Sequence, residues 1–201
     1  MVAERCVQDS KAVRAELENT FERDLRVRRD TLTCSKGCHH CCYNPFLVSI
    51  LEGISIYRWL AENRMWSTTL KAKFEAHHDA VLALSPEVWL LSQIPCPLLD
   101  GDKGICKAYE GRPFACRVTA STGDPYYCHP HRLVRADGIV PRLDVLSRLA
   151  SKDAAILQRL RTVHALMPFS TAVLYGERIT KGDMSIEDYP RQVGAAMLER
   201  A

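Results

Sequence analysis

The segment Cys34-Ser-Lys-Gly-Cys38-His-His-Cys41-Cys42 constrains the chain more than any other, because it places four cysteines within nine residues. Four more follow at Cys96, Cys106, Cys116 and Cys128, and one stands apart at Cys6. Thiolates are soft donors that select zinc, copper(I) or iron–sulfur clusters over hard cations. The second group lies in a stretch from Pro95 to about Pro141 that is rich in Gly, Pro and Asp and has little periodicity. Long aperiodic segments need something to order them, and metal binding can supply that free energy.

Disulfides fit the pattern poorly. Nine cysteines is an odd number, and the N-terminal Met-Val-Ala-Glu-Arg-Cys lacks the apolar core of a secretory signal. No apolar run approaches the roughly 20 residues that span a bilayer, so no membrane partner is expected. The expected location is therefore cytoplasmic, where cysteine clusters mean metal or redox chemistry. A formal charge of +3 is too small to point to nucleic acid without a concentrated basic face. The run Arg23, Arg26, Arg28 and Arg29 is diluted by Asp24 and Asp30 and reads as a solvated helix end.

Around the cysteines the chain reads as mainly α: a single helical domain over 1–201 whose long irregular loops converge on a metal centre. Val13, Leu17, Phe21 and Leu25 form one stripe of a helix within 10–30. The cysteine-cluster region occupies 31–131, and helices fill 140–201. Ser49-Ile-Leu-Glu52 is a capping box, so a helix should start near Ile50 and bury Ile50, Ile54, Tyr57 and Ala61 until about Asn63. Residues 46–50 are the apolar run best suited to a buried strand. A further helix carries Leu70, Phe74, His77, Val81 and Leu84, and Ser85-Pro86-Glu87 starts a short one. The longest C-terminal helix puts Leu143, Leu146, Ala150, Leu157, Leu160, His164 and Met167 on one face. A short segment to Gly176 and a terminal helix near 190–200 complete the chain, with no internal repeat.

The ligand chemistry is concentrated in Cys38-His-His-Cys41, where two intervening residues let both thiolates reach one metal. Cys34 can join across a turn that Gly37 permits. Cys42 is harder to place, because neighbours on an extended backbone point to opposite sides; it reaches a second site, a neighbouring iron, or only the core. Cys96, Cys106 and Cys116 are the preferred donors of the second segment, ahead of the more distant Cys128. His39, His40, His129 and His131 read as solvent-facing imidazoles or supports for the ligands rather than ligands themselves. Several thiolates on one metal leave net negative charge, which Arg112 and Arg117 are placed to offset as cofactor-binding residues. Their plainer role is an ion pair with Glu110 or Asp102.

The first loop, the Ser49–Glu52 helix start, and the segment Cys96-Pro-Leu-Leu-Asp … Gly104-Ile-Cys106-Lys-Ala-Tyr109-Glu-Gly-Arg112-Pro113-Phe-Ala-Cys116-Arg117 together resemble the CxxCxxCC (YkgJ-type) cysteine-cluster family, described as zinc- or iron-chelating domains. The resemblance covers about residues 30 to 130. It implies that Cys34, Cys38, Cys41, Cys42, Cys96, Cys106, Cys116 and Cys128 fill the family's eight places. One departure is visible: three residues, not two, separate Cys34 from Cys38. The cysteine region is also similar to that of flagellin lysine methylases, which carry an iron–sulfur cluster.

Zinc prefers four ligands in paired C-x2-C knuckles, and only one good knuckle is present. Iron–sulfur clusters tolerate irregular spacing, so a cluster of the 4Fe-4S type is the favoured cofactor and zinc the competitor. The function expected is cysteine-ligated metal binding with an electron- or group-transfer role toward a protein or small-molecule partner. Two alternatives remain open. One is a structural zinc module that presents a surface to a protein. The other is an S-adenosylmethionine-dependent methyl-transfer or radical enzyme, since Cys34-x3-Cys38-x2-Cys41 matches the radical motif's spacing. The repeating strand–helix pattern of those barrels is missing, as are P-loop, dinucleotide, zinc-protease and nucleophile-elbow motifs.

Overall fold

A computed structural model describes residues 2–27, 32, 34, 37–121, 124, 128, 138–139, 143–162 and 165–192. In chain order these form α1 (Val2–Val27), a 3-10 turn (His40–Tyr43), β1 (Leu47–Ser49), α2 (Ile50–Glu62), α3 (Thr68–Leu82) and α4 (Pro86–Leu91). There follow β2 (Leu99–Asp100), β3 (Ile105–Cys106), α5 (Phe114–Arg117), β4 (Ala120–Ser121), β5 (Gly138–Ile139), α6 (Leu143–Arg159), β6 (Leu166–Pro168) and α7 (Phe169–Lys181). The fold is mainly α. The described strands pair only two by two, so they close no barrel.

The centre is built from two units of one design, a three-residue strand running straight into a thirteen-residue helix. β1 and β6 pair antiparallel, Val48 opposite Met167, and α2 and α7 then cross at glycine. A Cβ on Gly53 would lie 2.2 Å from the Ala172 carbonyl oxygen, and one on Gly176 would lie 2.7 Å from the Gly53 backbone. Each helix is thus hydrogen-bonded along itself while touching the other through bare backbone, which only glycine allows. Leu51, Ile54 and Leu60 from α2 meet Met167, Ala172 and Val173, all essentially without exposure. Burying each large aliphatic side chain contributes about 1.5–3 kcal/mol, an upper figure for a chain compact before folding.

α1 ties this core to the rest. Cys6 and Val7 enter the main core, while Leu17 and Phe21 form a second cluster with Phe114, Val118 and Ala120. Between the two lies a buried polar knot. Arg14 meets Asp153 of α6 at 2.5 Å and donates to Ser49 Oγ at 2.8 Å, and Ser10 donates to Asp153 at 2.8 Å. Such a knot satisfies its own charges and fixes the registry of three elements, because breaking one member strands a buried charge.

Several expectations hold. α2 begins at Ile50 with the Ser49 hydroxyl accepting from the Glu52 N–H, and its cap is Asn63. α4 starts at Pro86 behind a Ser85 cap. Others need correction. The Glu52 carboxylate accepts from the Phe114 N–H and pairs with Arg14 at 3.6 Å, instead of returning to its own helix start. Ala61 and Ala150 are exposed. The C-terminal helix stops at Arg159, because Arg161 adopts a left-handed φ of 52° that ends the turn, and Met167 belongs to β6. The segment to Gly176 is not a short connector but most of α7. Arg28, Arg29, His129, His131, His164 and the terminal helix beyond residue 192 lie outside the described residues.

Candidate metal centre

Cys96, Cys106 and Cys116 each sit next to an anchor in a core. Cys96 and Cys106 flank the β2–β3 hairpin, whose neighbours Leu98 and Ala108 are buried in the main cluster. Cys116 lies on α5, which Phe114 and Val118 pin to Leu17 and Phe21 of α1. The first loop is fastened to the second by backbone: the Cys96 N–H donates to the Cys42 carbonyl at 2.8 Å. His39 lies across the hairpin turn, where a Cβ on Gly104 would come within 2.8 Å of its Nδ1. Gly104 has a φ of 61°, which suits glycine on both counts. Hydrophobic anchors and glycine thus bring the two segments together.

Cys41 and Cys42 occupy a 3-10 turn, not an extended strand. With three residues per turn, adjacent side chains diverge by about 120°, and these two thiols share a hydrogen bond. The extended backbone on which Cys42 is hard to place is therefore not what the chain adopts here. The shared bond makes Cys41 the acidic partner, lowered to about 7 against some desolvation and helped by the Arg112 charge. It drives Cys42 upward, with burial and the charges of Cys41, Cys96 and Cys106 adding to the effect.

The other thiols read as neighbours of this pair. Burial pushes Cys96 up to about 12, with the charges of Cys106 and Cys41 acting in the same direction. Cys116 is raised well above the ordinary thiol range by burial, then by Cys96, Cys41 and Cys106. Cys106 is raised by burial, against the pull of Arg112. These form a half-buried bed. Cys34 belongs to a rim: burial raises it, a 3.1 Å hydrogen bond from the Ser121 N–H opposes that, and the charges of Cys38, Cys128 and Cys41 add to the rise. Cys34, Cys38 and Cys41 are exposed. Cys128, the most distant candidate in sequence, thus comes within reach of Cys34. Cys6 is elsewhere, buried in the core with its thiol toward the Ile156 carbonyl at 3.9 Å.

The two arginines part company. Arg117 is committed to structure: it pairs with Glu18 at 3.0 Å and donates to the carbonyls of Arg112 and Glu110. Arg112 stacks over the Tyr109 ring at 3.7 Å and faces Cys41 and Cys106 electrostatically. Its Nε–H is buried and finds no acceptor among the described residues. Neither ion pair expected from the sequence, with Glu110 or Asp102, is the partner seen for Arg117. Sequence reading also missed Glu52, whose charge bears on Cys116, and Arg14. In the sequence Glu52 reads only as the acidic end of a capping box, and Arg14 is not singled out at all.

Among the described residues no three His, Cys, Asp or Glu side chains already stand at the spacing of a finished coordination shell. The donor set nonetheless fits a thiophilic metal. Soft sulfur donors come from two segments, Cys96, Cys106 and Cys116 keep their protons through burial, and the Arg112 charge faces Cys41 and Cys106. A metal entering there displaces protons, and the thiolate charge it leaves gives Arg112 its partner.

The sequence model of the CxxCxxCC family, described as "Putative zinc- or iron-chelating domain", matches residues 33–135. No curated protein and no solved structure matches the chain. No helix among the described residues is long and apolar enough to cross a membrane.

Proposed function

Because the chain belongs to the CxxCxxCC family of zinc- or iron-chelating domains, we propose that its metal is an iron–sulfur cluster held at the Cys41–Cys42 turn, in a cytoplasmic protein of one domain. The observation that carries this reading is the convergence on Cys41 of thiols from both segments: Cys34, Cys42, Cys96, Cys106 and Cys116 all feel its charge. One zinc ion takes four ligands, whereas the sulfurs here outnumber that and suit a polynuclear centre. Cys41 and Cys42 from the first segment and Cys96, Cys106 and Cys116 from the second supply the donors, with Cys34, Cys38 and Cys128 at the rim. When bound, such a cluster supplies one-electron transfer.

The chain's own residues then have separable tasks. Arg112 offsets the thiolate charge at Cys41 and Cys106 through space. Tyr109 holds that guanidinium by its ring face. Arg117 and Glu18 fasten the Glu110–Arg117 loop to α1, so the charge-compensating arginine keeps its place. Metal and acid-labile sulfide analysis of protein purified without oxygen tests the reading. Iron with comparable sulfide and broad absorption near roughly 400 nm is expected. Stoichiometric zinc without sulfide, in cells supplied with iron, overturns it in favour of a structural zinc module.

A further inference from the structure

Arg112 faces two ways. One side is the thiol bed. The other is a cavity of 270 Å³ between α1, α2 and the Glu110–Arg117 loop. That volume falls just below the range of about 300–1,000 Å³ usual for small-molecule sites. Two residues lining it, Arg14 and Arg112, each carry a buried Nε–H with no hydrogen-bond acceptor among the described residues. Glu52 is 3.6 Å from the Arg14 Nε, which is a Coulombic contact but too long for a hydrogen bond. A buried donor left unsatisfied costs about 1–3 kcal/mol, and native proteins rarely keep two such donors on one cavity without a ligand to meet them.

We propose that this cavity binds a small organic carboxylate with an apolar body, its carboxylate taken by Arg14 and Arg112 beside the metal centre. Guanidinium N–H groups match a planar carboxylate in charge and geometry. Ala15, Ile56, Phe114 and the indole of Trp59 supply the apolar part of the wall, beside Lys11, Glu18 and Ser55. Trp59 is itself brought against the loop by Gly111, where any Cβ would lie 2.2 Å from the ring. Phosphate is disfavoured because Glu52 and Glu110 line the same space, and a second negative charge on the ligand would meet them. Arg117 is already matched by Glu18. Arg14 pairs with Asp153 through its Nη groups, so what Arg14 and Arg112 offer a ligand is their open Nε–H groups. The inference deepens the metal reading, since Arg112 is shared, but the cavity exists without it.

Calorimetric titration of the full chain with benzoate, benzamide and inorganic phosphate tests the inference, with metal content measured on each sample. Benzoate should bind at one molecule per chain, and benzamide and phosphate should bind at least about tenfold more weakly. Ala15→Phe, which fills the mouth from an exposed position of α1, should weaken benzoate by about tenfold or more while leaving metal content and melting temperature unchanged. If that variant does not fold, Ser55→Leu, on the α2 wall, carries the same measurement. Equal binding of benzoate and benzamide, stronger binding of phosphate, or benzoate affinity untouched by a folded cavity-filling variant overturns the inference. Benzoate binding that Ala15→Phe abolishes, in protein that holds no metal, upholds the cavity and sinks only the metal reading.

Discussion

Between α2 and α7 the chain meets backbone to backbone at Gly53 and Gly176, whereas around Cys41 it meets sulfur to sulfur. The first region has thirteen-residue helices with most of their side chains buried. The second has two-residue strands, a four-residue helix and thiols that are exposed or half-buried. The core closes by burying apolar surface and needs nothing further. The loops are positioned by their anchors, Leu98, Ala108, Phe114 and Val118, but their thiols keep protons that only a cation will displace. One part of the molecule is finished by folding, and the other is prepared by it.

The sharpest way to break that contrast is to strike the core. Gly53→Leu should cost at least about 3 kcal/mol, because the new side chain must displace the Ala172 backbone. Thermal melting should show the loss equally with and without metal. A variant destabilised only in the metal-free form would mean that the core depends on the loops.

Metal removal is the converse. After chelation, amide hydrogen exchange should accelerate across the cysteine-bearing segment 96–121, while α2 and α7 keep most of their protection. Simultaneous loss in both places would erase the distinction between the regions.

Single cysteines sharpen it further. Cys116→Ser should remove most of the metal but shift the melting of metal-free protein little, since its thiol is a donor and not a packing group. Cys6→Ser should do the reverse. The metal stays, and stability falls by about 1 kcal/mol, because a hydroxyl replaces a fully buried thiol with a weak acceptor contact.

The smallest effect is on pH dependence. Cys96 holds its proton to about 12 in the fold, whereas an unfolded cysteine releases it near about 8.5. Between those values the folded state binds more protons, so metal-free protein should lose stability as pH rises through that window. Metal-loaded protein should lack this loss. His77 acts at the acid end. Burial lowers it to about 4, and its Nδ1 lies 2.9 Å from Ser170 Oγ. The unfolded chain takes that proton below about 6.5, so stability should fall from there toward pH 4 with or without metal. Urea titrations across pH read both limbs.

What the sequence revealed divides along local and non-local lines. The α1 stripe, the Ser49 cap and the Ser85-Pro86 start were legible because each is written within one turn of helix. α7 was not, because residues from Phe169 to Glu177 are buried on nearly every side. That buried surface includes Ser170, Thr171 and Glu177, polar residues that pattern reading assigns to solvent. Pro168 also stands where a capping hydroxyl would have marked its start. The helix break at Arg161 carried no glycine to announce it. The cysteines were legible as donors from their spacing. Their grouping was not, because it depends on the 3-10 turn at Cys41 and on hairpin contacts such as His39 over Gly104. The Arg14–Glu52–Asp153 knot escaped for the same reason, since Glu52 reads as a local cap and the partners of Arg14 and Asp153 lie on other elements.

X-ray absorption at the iron edge of anaerobically purified protein addresses the central claim most directly, that both segments close on one thiolate-bound centre. The account predicts a first shell of sulfur alone with iron–iron scattering behind it, and loss of that signature in Cys116→Ser as in Cys41→Ser. A shell of nitrogen and oxygen, or one that Cys116→Ser leaves unchanged, would contradict it.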